Sequence, residues 1–145
     1  MNKNSIVLYT IGFTATTAEN FFERLKNNSV KKIIDARLNT KSQLSGFAKN
    51  VDLSFFLKKI IKADYLHVPE YAPTQEILNN YRNKNIDWKE YENLYINLIK
   101  KRKVEQLLNA NELDKSCLLC SESEATFCHR RLLAEYLKKK IKLLS

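Results

Sequence analysis

Short apolar runs alternate with longer amphipathic stretches along the whole chain. The run 6–11 (IVLYTI) ends at Gly12 and suits a strand buried on both faces. Thr16-Thr17-Ala18-Glu19 has the form of a capping box. Phe21, Phe22 and Leu25 follow at helical spacing, which predicts a helix over 17–28, ended by Asn27-Asn28. Residues 31–36 (KKIIDA) read as a second strand and 38–51 as a polar loop. With Asp52 as N-cap, the pattern predicts a helix over 53–62 and then a third strand over 65–68, stopped by Pro69. Thr74 caps a helix over 75–83. Asp87 caps another, with Trp88, Tyr91, Tyr95, Leu98 and Ile99 on its inner face. Val104, Leu107 and Leu108 suggest one more helical piece. Residues 116–120 (SCLLC) form a fourth strand, 129–140 a last helix and 141–144 a final short strand. Strands alternating with helices predict a single three-layer α/β domain, with a small, mostly parallel sheet of about four or five strands flanked by helices.

Composition narrows this picture. Two glycines and two prolines among 145 residues leave few tight turns, which disfavours a hairpin-rich all-β fold. The formal charge of +9 has its basic excess at the two ends of the chain, and it favours a polyanionic partner such as nucleic acid or a nucleotide. The alternative is a solvated lysine-rich surface. Neither a secretory signal nor an apolar run of membrane-spanning length is seen, so no membrane partner and a cytoplasmic location are expected. Three cysteines leave one odd thiol, which argues against a disulfide framework. The oligomeric state is not legible.

In a parallel sheet, ligands sit beyond the carboxyl ends of the strands. That rule gathers four loops. The first carries Thr10, Gly12, Phe13 and Thr14 and lacks any glycine-rich phosphate fingerprint. The second opens with Asp35 and Arg37, which alternation places on one side with Ala36 opposite. They pair with each other, or else aim a carboxylate and a guanidinium fork at a ligand. The third carries His67, with Tyr65 on the same face and Glu70 beyond Pro69. In the fourth, Cys120 ends the strand, Glu122 and Glu124 follow, and Cys128-His129-Arg130-Arg131 opens a helix. A helix N-terminus attracts anions and lowers the pKa of a nearby thiol. Cys128 is therefore a candidate nucleophile, the alternative being a small buried filler.

The cysteines admit other readings. Cys117 and Cys120 have C-x-x-C spacing, but on a strand they face opposite sides, which disfavours a dithiol between them. The three cysteines and two histidines would suffice for zinc, yet no tight ligand pair supports a metal and no cofactor is expected. Ten residues from Cys120 to Arg130 exceed the compact anion loops of phosphatases and sulfur-transfer enzymes.

Tyr9-Thr10-Ile11-Gly12, Asp35-Ala36-Arg37, Tyr65-Leu66-His67-Val68-Pro69-Glu70, and Leu119-Cys120 through Cys128-His129-Arg130 together resemble the family catalogued as domain of unknown function 488. The resemblance runs from Val7 to Leu144. The chain departs from the family at Phe13, where His is usual, and at Ala36, where Val is usual. The resemblance implies a compact α/β fold in a prokaryotic cytoplasm and brings no established reaction. The leading expectation is an enzyme-like pocket for a phosphate-bearing ligand, a nucleotide or nucleic acid. Asp35, His67, Glu122 and Cys128 would be its proton-transfer or nucleophilic groups. Thr10, Gly12, Arg37, Glu70, Cys120, His129 and Arg130 would bind the ligand. The alternatives are a non-catalytic nucleic-acid-binding or adaptor module, and a thiol-dependent enzyme using Cys128 or Cys120.

Overall fold

A computed structural model describes residues 6–13, 16–40, 46–120 and 128–144. Among them are four strands, β1 (Leu8–Gly12), β2 (Lys32–Asp35), β3 (Asp64–His67) and β4 (Ser116–Cys120), all parallel in the order β1-β4-β2-β3. Six α-helices flank them: α1 (Ala18–Asn27), α2 (Asn50–Ile61), α3 (Gln75–Arg82), α4 (Trp88–Arg102), α5 (Ala110–Leu113) and α6 (His129–Leu144).

The layering follows from the chirality of the crossovers. The chain steps from β1 to β2 and on to β3 in one direction across the sheet, through α1 and α2. It returns from β3 to β4 in the opposite direction, through α3, α4 and α5. Right-handed crossovers in opposite directions must lie on opposite faces. Accordingly, Phe21, Phe22, Leu25, Leu53 and Leu57 form one core with Ile33, Cys117 and Leu119. Tyr91, Tyr95, Ile99, Leu132 and Leu133 form the other with Ile34, Ala36 and Leu118. Residues of β4 thus alternate between the two cores, and all five are buried, as a central parallel strand requires.

Helix starts follow local chemistry. Thr17, Thr74, Asp87 and Asn109 each accept a hydrogen bond from the backbone N–H three residues on, and Asp87 and Asn109 form complete capping boxes. The helix ends show the cost of so few glycines. Lys62 and Lys103 close α2 and α4 in the left-handed region, at φ 57° and 54°, a conformation that costs a residue with a Cβ about 1–2 kcal/mol.

Several expected boundaries are corrected. Thr17 caps α1, one residue later than the Thr16-to-Glu19 box. Helix α2 starts at Asn50 and is capped at Lys49 without a side-chain bond; Asp52 sits inside its first turn. A 3-10 turn over Gly46–Ala48 lies within the segment expected to be loop. The helical piece near Val104 is a 3-10 turn, Val104–Gln106, followed by the separate helix α5. Residues 141–144 continue α6 and form no strand, because the helical hydrogen-bond ladder carries on past Lys140 with no breaker to stop it.

Candidate functional site at the strand ends

The register aligns the strand ends: Gly12 pairs with Cys120, and Asp35 with both Leu119 and His67. Helices leave neighbouring strands β1, β4 and β2 toward opposite layers, which opens a crevice at this edge. The candidate residues near it fall into two groups, one on each face of the sheet.

On the α1–α2 face the centre is Asp35, which is fully buried. Its Oδ1 accepts hydrogen bonds from the Arg37 backbone N–H (3.1 Å) and Nε (2.8 Å). Its Oδ2 accepts from Arg37 Nη2 (2.7 Å) and the Tyr65 hydroxyl (2.6 Å). Four donors fill the acceptor capacity of an ionised carboxylate. Arg37, 3% exposed, also donates from Nη2 to the Ala48 carbonyl, and its guanidinium stands 5.2 Å from the centre of the Phe13 ring. Its Nη1 is buried with no hydrogen-bond partner among the described residues. The Arg37 carbonyl accepts a 2.8 Å bond from Nε2 of His67, whose ring is half-buried. Burial, and then the Asp35 carboxylate, push the Tyr65 phenol well above its ordinary pKa.

On the α3–α6 face the centre is sulfur. Alternation along β4 puts Cys120 on the side of Leu118, away from Cys117. Cys120 is paired with Cys128, at the start of α6, as a disulfide. Cys120 Sγ also accepts a 2.8 Å hydrogen bond from Arg130 Nη1. His129 is buried, and its Nε2 donates to the Ala36 carbonyl at 2.8 Å, which leaves the Nδ1 lone pair 3.9 Å from Cys128 Sγ. Its ring meets Tyr95 edge-on, with centroids 5.4 Å apart. Burial above all lowers the His129 pKa to about 4, against the opposing pull of the Ala36 hydrogen bond, so at neutral pH the imidazole is uncharged. The remaining thiol, Cys117, faces the other core, and burial raises its pKa to about 12.

The structure therefore brings Asp35, Arg37 and His67 together on one side, and Cys120, Cys128, His129 and Arg130 on the other. The carbonyl of Ala36, bound by His129, lies between the groups. Gly12 sits at the edge beside Cys120 in ordinary strand conformation, with no positive φ. Thr10 lies mid-strand and lines a hollow of about 50 Å³ with Arg24, Asn28 and Cys117. Glu70 is exposed on the turn Pro69–Tyr71; its backbone carbonyl accepts from Arg102, and no bond joins its side chain to the site among the described residues. Glu122, Glu124 and Thr14 lie outside the described residues. The expectation against disulfides is corrected: the odd thiol is Cys117, and the other two cysteines, eight residues apart in sequence, meet because a strand end and a helix start converge. Two supporting residues were not assigned a role from the sequence. Tyr65 reaches Asp35 diagonally from the neighbouring strand, a link that needs the β2–β3 register. Ala48 contributes only a carbonyl, which no side-chain pattern reveals.

Among the described residues no three His, Cys, Asp or Glu side chains are grouped to hold a metal ion. No described helix is long and apolar enough to cross a membrane. Comparison with curated proteins and with solved structures gives no match. A family model described as Domain of unknown function DUF488 matches residues 17–137. That span contains the Asp35, Tyr65 and Cys120-to-Arg130 motifs and leaves out Tyr9–Gly12. Because the match covers far more than half of the chain, the protein belongs to the DUF488 family.

Proposed function

We propose that the strand-end site is a thiol-dependent active centre in which Cys120 is the nucleophile and Cys128 the resolving thiol. The observation that carries this reading is the bracketing of the sulfur pair by Arg130 on Cys120 and by the His129 Nδ1 lone pair on Cys128. A guanidinium hydrogen-bonded to sulfur favours the thiolate, and a helix N-terminus adds to it. The reaction that uses both groups is thiol–disulfide exchange. Starting from the dithiol, the Cys120 thiolate attacks one sulfur of a substrate disulfide, forming a mixed disulfide and expelling a substrate thiolate. Cys128 then attacks Cys120 Sγ while its proton passes to the departing substrate sulfur, which releases the second substrate thiol and restores the Cys120–Cys128 bond. The substrate disulfide gains two electrons and the protein dithiol loses them. Both cysteines are nearly buried, at 1% and 4% exposure, which favours a small disulfide substrate over a protein one.

The test is mass-mapped alkylation at neutral pH after reduction, followed by reoxidation with a small disulfide. Cys120 is expected to react at least about tenfold faster than Cys117, and Arg130→Gln to remove most of that advantage. Equal reactivity of the two cysteines, or failure of a small disulfide to restore the pair, overturns the proposal.

The buried, unpartnered Nη1 of Arg37 favours a second reading, a pocket for a phosphate-bearing ligand such as a nucleotide or nucleic acid. Asp35 and Arg130 count against it, since Asp35 is saturated by internal donors and Arg130 is engaged with Cys120. Titration of wild type and Arg37→Met with nucleotides and short oligonucleotides at two salt concentrations decides it. Absence of binding at low salt, or equal binding by both proteins, rules it out.

A further inference from the structure

Away from the strand ends, the last turn of α4 and the middle of α6 carry lysines that no ion pair among the described residues neutralises. Lys100 and Lys103 are exposed at the end of α4, with Lys101 turned to the α3 side beside Thr74 and Glu76, and Lys138 and Lys139 are exposed on α6. The Tyr136 hydroxyl donates to Glu105 Oε1 at 2.8 Å, which fixes this part of α6 beside the 3-10 turn that immediately follows Lys103. Lys140 lies over the Tyr136 ring, 5.7 Å from its centre. None of the five lysines on the α6 side belongs to an ion pair among the described residues. The neighbouring carboxylates are already engaged: Glu92 and Glu135 by Arg131, and Glu105 by Tyr136. Complementing a helix dipole accounts for Lys100 and Lys101 in the last turn of α4. It does not account for Lys138 and Lys139, which precede the last turn of α6.

We propose that this α4–α6 surface docks the phosphate backbone of duplex nucleic acid. Charge complementarity selects a polyanion. A duplex is favoured over a single strand because the only aromatic ring of the patch, Tyr136, is buried and offers no stacking platform. The proposal does not depend on the thiol chemistry or on Arg37, so it stands or falls separately.

The test is binding of a labelled short duplex to the whole protein over a salt series, read by fluorescence anisotropy. Five lysines set a ceiling of about −4.5 on the slope of log affinity against log salt, and replacing Lys138, Lys139 and Lys140 with Gln is expected to make the slope shallower by about 2–3. A control carrying Lys26→Gln and Lys59→Gln, on the exposed surface of α1 and α2 across the sheet, is expected to bind like wild type. Circular dichroism checks that each variant is folded. The proposal is overturned if the triple variant matches wild type, if the control loses as much as the triple variant, or if a single strand binds as tightly as the duplex. It is equally overturned if vesicles of anionic lipid compete the duplex away at lower phosphate concentration.

Discussion

The two halves of the strand-end site use opposite means to hold polar groups in a dry place. On the α1–α2 face, Asp35 and Arg37 are both charged and satisfy each other through paired bonds, with Tyr65 and the Ala48 carbonyl completing the set. On the α3–α6 face a single charge, the Arg130 guanidinium, stands among uncharged groups: His129 is neutral and the two sulfurs are bonded. The first half is a rigid anchor, because its carboxylate has no acceptor capacity left for a ligand. The second retains chemical potential, since an openable sulfur pair can exchange electrons. Residues that look equally catalytic as types thus divide by environment.

The largest expected effect sharpens the anchor role. Arg37→Met leaves a buried carboxylate without its partner and should destabilise the fold by about 3–5 kcal/mol, whereas Asp35→Leu combined with Arg37→Met should recover most of that loss. Urea denaturation measures both; a small cost for the single variant would mean that Asp35 has another partner.

Next comes the neutral imidazole. The folded pKa of His129, about 4, lies below its ordinary 6.5, so the unfolded chain binds more protons between these values. Stability should be complete above about pH 6.5 and fall as pH drops toward 4, by at most about 3 kcal/mol. His129→Gln keeps a donor for the Ala36 carbonyl and should flatten this part of the pH profile; an unchanged slope would assign the effect elsewhere.

Opening the sulfur pair should cost less. The nine-residue loop from Cys120 through Cys128 implies about 2.5 kcal/mol by chain entropy. Reduction of wild type and the Cys128→Ser variant should shift the urea midpoint equally, and reduction should leave Cys128→Ser unaffected. The smallest effect is expected at Lys58–Asp64, an ion pair exposed on both sides. Lys58→Met should change stability by less than about 1 kcal/mol. Its contrast with Arg37→Met isolates burial as the variable.

Much of the anchor half was legible in advance. The i, i+2 spacing of Asp35 and Arg37 on a short strand is enough to predict that they share a face and can pair, and they do. The position of His67 at a strand end was legible for the same reason. The state of the thiol half was not. Cys120 and Cys128 look like two free cysteines in sequence, and only the convergence of β4 with the start of α6 joins them. Glu70 and Thr10 were drawn toward the site by motif position, yet one is on an outer turn and the other is two residues below the strand end.

Local pattern by itself determined the alternation of strands and helices, most caps, the parallel α/β class and the membership of Cys117 and Cys120 in opposite faces. These depend on periodicity and on bonds within a few residues, which the chain carries wherever it folds. Tertiary structure decided the strand order, the charge state of His129 and the disulfide. Each of these depends on burial or on groups distant in sequence: 93 residues separate His129 from its acceptor Ala36. Hydrophobic period has no means of recording that contact, and it is the contact that sets the two halves of the site side by side.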